Sequence, residues 1–282
     1  TAILGGASDS LAVEHTINNG DMVGATQLTI VPGQAYQFRV YAKNAVGDGP
    51  LSVSISVDPV QGPAKMAAPV GNAAATDYQN IAVEWAEMTT AEETGGVAIN
   101  GYILEWDDAT NQETWTTLVD YESNGLAYTV GSNIVPGETY SFRVKCYTDI
   151  GTSTVSDVFS VVPQSAPGGM STPLVYLSHD NLVKISWNYP EDRGSAISEY
   201  RLWIKDLNGD DVEETTYCAD ATSAAARACE IPLYVFREAP YSLEQLAKIE
   251  LRIESMNSLG YGPTSGYNTN GAALPQVTPL AY

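Results

Sequence analysis

Three cysteines and two histidines are the only side chains here whose types suggest nucleophilic, redox or zinc chemistry. Cys218 and Cys229 are separated by Ala219 through Ala228, a stretch of Ala, Ser and Thr. That spacing suits two strand positions or loop feet joined by a disulfide, whereas a redox or metal pair would need further ligands that the sequence does not supply nearby. A bond of this kind implies an oxidising compartment. Cys146 sits at an apolar position of an alternating strand and reads as a buried, inert thiol. His15 and His179 stand alone, without metal-ligand spacing and without a serine and aspartate arranged around them, so they read as surface residues.

Carboxylates offer a second kind of chemistry. Glu92-Glu93, Asp107-Asp108, Glu191-Asp192 and Asp210-Asp211 with Glu213-Glu214 fall where loops or strand ends are expected. Calcium takes six to eight oxygens, and such pairs are weak candidates to supply some of them. None has the spacing of a helix-loop-helix calcium site, so the expectation is a solvated acidic surface with no bound cofactor. Asn208-Gly209 reads as a hairpin turn. Among the aromatics, Trp85 and Trp187 are core by pattern, while Trp203 is out of phase with Tyr200, Leu202 and Ile204 and is expected to face outward. There it would stack on a cation such as Arg252, or mark a sugar-binding or inter-chain surface. Trp115, on an expected edge strand, is the second candidate contact residue.

These residues are positioned by a repeat. Val31-Pro32-Gly33-Gln34-Ala35-Tyr36-Gln37-Phe38-Arg39-Val40 recurs as Val135-Pro136-Gly137-Glu138-Thr139-Tyr140-Ser141-Phe142-Arg143-Val144, which is 104 residues further on. A weaker copy surrounds Ile249 through Glu254 and continues into Asn257-Ser258-Leu259-Gly260. Each copy alternates with period two: Tyr36, Phe38, Val40 and Ala42 share one face, as do Tyr140, Phe142, Val144 and Cys146. Ile81, Val83 and Trp85 match Val183, Ile185 and Trp187; Tyr102, Leu104 and Trp106 match Tyr200, Leu202 and Ile204. Short alternating strands between turn signals, without helical periodicity, indicate β-sandwiches.

The Trp on the second strand, the Tyr on the third, and the Pro-Gly-x-x-Tyr corner resemble the fibronectin type III family. The resemblance implies an all-β chain of tandem immunoglobulin-like sandwiches, and it is strongest around Trp85, Tyr102, Pro136, Tyr140 and Gly151. The expected division is a partial module over residues 1–62, modules over 63–163 and 167–270, and a linker with the first strand of a further module over 271–282. The last full module departs from the pattern, with Ile249 at the corner-Tyr position and one helical turn expected within Pro232 to Pro240. The register of the repeat leaves the first module without its first strands. Either the polypeptide continues beyond both ends or separate chains complete one another head to tail into filaments.

Charge narrows the partners. Thirteen basic residues against 34 acidic give a net charge of −21. Such a surface repels nucleic acid and anionic membranes, which are bound through Lys and Arg. No apolar run reaches the roughly 18 residues of a membrane span. The expected role is an extracellular structural or adhesive array, with other copies of the chain or other surface proteins as partners. The rival roles are a recognition ectodomain for protein or glycan, and non-catalytic spacer modules of a larger secreted enzyme.

Overall fold

Period-two alternation needs a second apolar layer before it can bury anything, and the chain supplies that layer twice. The structure, a computed structural model, describes residues 16–20, 22–23, 26–119, 125–178, 180–219, 225 and 227–270. In order, the strands are β1 (Met22–Val23), β2 (Thr26–Gln27), β3 (Tyr36–Phe38), β4 (Lys43–Asn44), β5 (Gly47–Asp48), β6 (Ile55–Val57), β7 (Val70–Gly71) and β8 (Ile81–Glu84). After a single helical turn, α1 (Ala91–Thr94), come β9 (Gly101–Trp106), β10 (Thr116–Val119), β11 (Ala127–Val130), β12 (Tyr140–Tyr147) and β13 (Phe159–Val161). The remainder are β14 (Leu174–Leu177), β15 (Leu182–Ser186), β16 (Glu199–Lys205), β17 (Asp211–Glu213), β18 (Ala228–Pro232), β19 (Leu251–Asn257) and β20 (Gly260–Tyr261).

One sandwich pairs a three-stranded sheet, β11-β8-β7, with a four-stranded sheet, β10-β9-β12-β13. The other repeats the plan with β14-β15-β18 and β17-β16-β19-β20. The pairings of the central strands are antiparallel, as hairpin and Greek-key connections require. By contact the chain divides into two compact units. One holds Thr1–Asn72, Ala82–Thr129 and Tyr140–Val161; the other holds Ala73–Ile81, Val130–Thr139 and Val162–Tyr282.

Within each sandwich the inward positions carry the core. Trp85 packs beside Tyr102 at 6.2 Å between ring centroids, and Trp187 beside Tyr200 at 5.4 Å. Trp106 stacks on Tyr140 at 5.4 Å. Cys146 is buried and unbonded, and burial pushes its thiol up, which keeps it protonated and inert. The second sandwich departs from the first between β18 and β19. One turn of 3-10 helix, Leu233–Arg237, buries Leu233, Val235 and Phe236, and the Ala239–Pro240 bond is cis. Ile249, in place of a corner tyrosine, is buried.

The segment before β7 carries the alternating apolar face of the expected partial module. Tyr36 and Phe38 are half-buried, but Val40 on the same face is 73% exposed and Ala42 is exposed too. The ribbon of β3 and β6 is two-stranded, and no second sheet covers it among the described residues. Alternation chose the apolar face but could not supply a layer for it. No helix among the described residues is long and apolar enough to cross a membrane.

Candidate interaction surface

The outer face of each four-stranded sheet is where outward-pointing tryptophan meets charge. On the first sandwich, alternation along β9 sends Tyr102, Leu104 and Trp106 inward and leaves Ile103 and Glu105 on the other side. Glu105 lies opposite Arg143 in the β9–β12 register, and Lys145 is two residues further along β12. Arg143 Nε donates to Glu105 Oε2 at 2.7 Å, and Lys145 Nζ donates to Oε1 at 2.6 Å. The Arg143 guanidinium also lies 4.0 Å over the ring of half-buried Trp115, which immediately precedes edge strand β10. One cation thus ties a carboxylate to an aromatic plane, and Trp115 roofs the ion pairs.

Burial pushes the Glu105 carboxyl up, but the bonds and charges of Lys145 and Arg143 outweigh it and hold the group below the usual carboxylate range. A depressed folded-state pKa means the stabilisation is complete above the unfolded value and is lost as pH falls through the folded one. Glu105→Gln should therefore cost about 1–2 kcal/mol at pH 7, where two partly exposed cations lose their shared partner. The difference from the native chain should shrink toward pH 3, and urea titrations at the two pH values measure it.

The second sandwich carries a denser lattice on the same face. Arg201 lies 4.1 Å over the Tyr261 ring and within 3.4 Å of Glu213 and 3.8 Å of Glu254. Lys205 Nζ is 3.9 Å from the Tyr267 ring centroid and 2.9 Å from Glu250. Arg252 pairs with Asp211 at 2.6 Å and lies 5.5 Å from the same tyrosine ring. Tyr261 donates to Glu199, and burial together with that bond pushes its phenol up to about 12. Trp203 is half-buried among these groups and sits opposite both Arg252 and Glu213. Arg252 stacks on Tyr267, however, and not on Trp203. The register brings the pair side by side, but the carboxylate of Asp211 draws the guanidinium toward the tyrosine.

The acidic pairs differ from the solvated surface expected of them. Asp107 is buried and accepts from the Ser141 amide at 2.8 Å and the Gln112 amide at 3.0 Å. Glu93 closes the capping box of α1, accepting from the Thr90 amide at 2.9 Å. Asp192 accepts from the Gly194 amide at 3.1 Å, and Asp211 from the Tyr267 hydroxyl at 2.9 Å. Glu214 is buried beneath the Thr216 and Tyr217 amides. In each pair at least one carboxylate is occupied by turn amides or hydroxyls, which leaves few oxygens free to build a cation cage. No group of three or more His, Cys, Asp or Glu set to hold a metal ion is found among the described residues.

Cys218 and Cys229 are joined by a disulfide with their Cα atoms 5.4 Å apart, and Cys229 faces Ile185 from β18. His15 and His179 lie outside the described residues, as do residues 271–282. The Trp115–Arg143–Glu105 stack is not directly readable from residue types. The available signal was parity: Glu105 is out of phase with Tyr102, Leu104 and Trp106, and two cations at the same outward parity follow in the strand that pairs with it.

No family model matches the chain. It is 28% identical to human fibronectin type-III domain-containing protein 3A over 262 residues, covering 88% of this chain and 19% of that protein. It is 24% identical to mouse usherin over 68% of this chain and 4% of usherin. It is 21% identical to chicken contactin-1 over 87% of this chain and 23% of contactin-1. The chain thus spans less than a quarter of the length of each of these relatives.

Proposed function

For this chain, a fibronectin type III domain protein, we propose a non-catalytic structural and adhesive role outside the cell. The observation that carries the reading is the use made of its chemistry. Arg143, Lys145, Arg201, Lys205 and Arg252 each lie within 4.0 Å of a carboxylate, so these five cations brace the outer faces of the four-stranded sheets. With a net charge of −21 the surface is predominantly acidic, with the half-buried rings of Trp115 and Trp203 set into it. The disulfide supports maturation in an oxidising compartment. The partners that suit this surface are other copies of the chain or other surface proteins.

A second reading is favoured by the half-buried outward Trp115 and Trp203: recognition of a protein or glycan through these rings. Bead clustering separates the two. Beads coated with the oxidised chain should cluster, and EDTA should leave the clustering unchanged. The Trp115→Ala, Trp203→Ala double variant should cluster several-fold less while staying folded, its unfolding midpoint lowered only modestly by the lost Trp115–Arg143 contact, because outward aromatic rings anchor protein contacts. Beads that stay dispersed, alongside glycan binding that Trp203→Ala abolishes, would replace the adhesive reading with the recognition one.

A further inference from the structure

The same backbone contact occurs in both compact units, and in each it depends on glycine. In the first unit the turn Val31-Pro32-Gly33-Gln34 meets the loop that follows α1. Gly33 N donates to Pro59 O at 2.8 Å, Gln61 N to Gly95 O at 3.0 Å, and Ala64 N to Glu93 O at 2.8 Å. A Cβ on Gly96 would stand 2.3 Å from Gly33 N, and one on Gly95 would stand 2.1 Å from Gln61 O. Both glycines also have left-handed φ, +73° and +82° for Gly95 and Gly96.

The second unit repeats this contact with residues of the second and third copies of the repeat. Gly137 N donates to Pro163 O at 3.1 Å, Ser165 N to Arg193 O at 3.1 Å, and Gly168 N to Glu191 O at 2.8 Å. A Cβ on Gly194 would stand 2.5 Å from Gly137 N. Side chains reinforce this contact: Gln164 Nε2 donates to Gly194 O at 3.0 Å, and Arg193 lies 4.4 Å over the Tyr78 ring. The buried Asn257 amide donates to Ser165 O at 2.8 Å and Asp192 O at 3.1 Å.

We infer that Gly95-Gly96 and Gly194 form a repeated latch, a docking surface whose partner is the Pro-Gly turn of another repeat of this chain. The latch accepts bare backbone and rejects a side chain. Its partner turn recurs a third time as Glu244-Gln245-Leu246-Ala247, where Ala247 N donates to Glu244 O at 3.2 Å and Leu246 takes φ +63°. Leu246 is 63% exposed. A Cβ on Gly33 would already stand 3.0 Å from Gly96 Cα, so a leucine at that point cannot enter a latch of this form. The third turn is thereby excluded from the docking mode of the other two. The latch deepens the structural role proposed above by naming what fixes one repeat against another.

Amide hydrogen exchange on the whole oxidised chain tests it. In Gly96→Ala the Gly33 and Gln61 amides should exchange about tenfold faster or more, and in Gly194→Ala the Gly137 and Ser165 amides should do the same. Core amides of Val144 and Ile253 should keep their protection. Gly209→Ala is the control, since Gly209 has φ +87° but no atom within 4 Å of an added Cβ, so it carries the conformational cost alone. Unchanged latch amides, equal acceleration in the core, or the same acceleration from Gly209→Ala would each overturn the latch. Beads that never cluster, with latch amides that respond as stated, would instead sink the adhesive role and leave the latch standing.

Discussion

Glu214→Ala should lower the stability of the β14–β20 sandwich by about 3 kcal/mol, the largest loss expected from any single carboxylate here. The Glu214 side chain is buried at the end of β17. Its Oε1 accepts from the Thr216 amide at 2.7 Å and the Tyr217 amide at 2.6 Å, while Oε2 accepts from the Tyr241 hydroxyl. Tyr241 is itself buried, stacked on Phe236 of the 3-10 turn at 5.6 Å. Burial, then the bond to Glu214 and its charge, push the Tyr241 phenol far up, so it remains a donor throughout the physiological range. Truncation to Ala strands that hydroxyl away from water. The two amides lie under exposed Thr216 and Tyr217 and can be rehydrated, so the cost stays below that of three orphaned donors. Glu214→Gln keeps one acceptor for the amides and should cost about 1 kcal/mol. Urea titration read by Trp187 fluorescence measures both. A Glu214→Ala midpoint within error of the native chain would show that the carboxylate is solvated after all.

This knot explains how the second sandwich manages without a corner tyrosine. In the first copy of the repeat the Tyr36 hydroxyl accepts from the Val31 amide at 2.9 Å and donates to Thr29 O at 3.3 Å, pinning the turn to its strand. At the matching place stands Ile249, which has nothing to donate. Tyr241 and Glu214 pin the inserted segment instead, and the Leu207 amide donates to Tyr241 O at 2.9 Å.

The all-β sandwich plan was legible because it is written in parity. Trp85 and Trp187, Tyr102 and Tyr200 fall on the inward phase of alternating strands, and all four are buried. Parity also put Trp203 on the outer face. What parity cannot carry is partner choice. Arg252 and Trp203 are register neighbours, yet the guanidinium follows Asp211 to Tyr267, a competition settled by loop positions that strand patterns do not encode. The carboxylates were misread for a related reason. Composition treats Asp107 and Glu214 as solvated charge, but each sits where turn amides converge, and that convergence exists only once the turns have closed. Val40 marks the limit of the pattern itself: alternation identifies an apolar face, and the layer that covers it must come from other strands.

Loss of the disulfide should destabilise the same sandwich by about 3 kcal/mol and leave the other sandwich unchanged. Cys218 and Cys229 are 11 residues apart in sequence, so the bond closes a short loop, and its removal restores that loop's freedom mainly to the unfolded chain. The loop feet are built into the sandwich: Cys229 is paired with Ile185 in the β15–β18 register, and the Trp187 amide donates to Arg227 O at 3.0 Å. Cys218→Ala with Cys229→Ala removes the bond without burying new hydroxyls, and a reductant acting on the native chain provides the matched comparison. Calorimetry should resolve two unfolding events, of which only one moves to lower temperature in either case. The β7–β13 sandwich has the lone buried Cys146 and no bond to lose. If both events shift, the two sandwiches unfold as one body; if neither does, the sandwich stands without its staple and the case for maturation in an oxidising compartment loses its main physical support. A sandwich that draws about 3 kcal/mol from one bond, out of a stability of roughly 5–15 kcal/mol for a whole domain, gains most where that bond is kept oxidised, which is the condition the proposed role would supply.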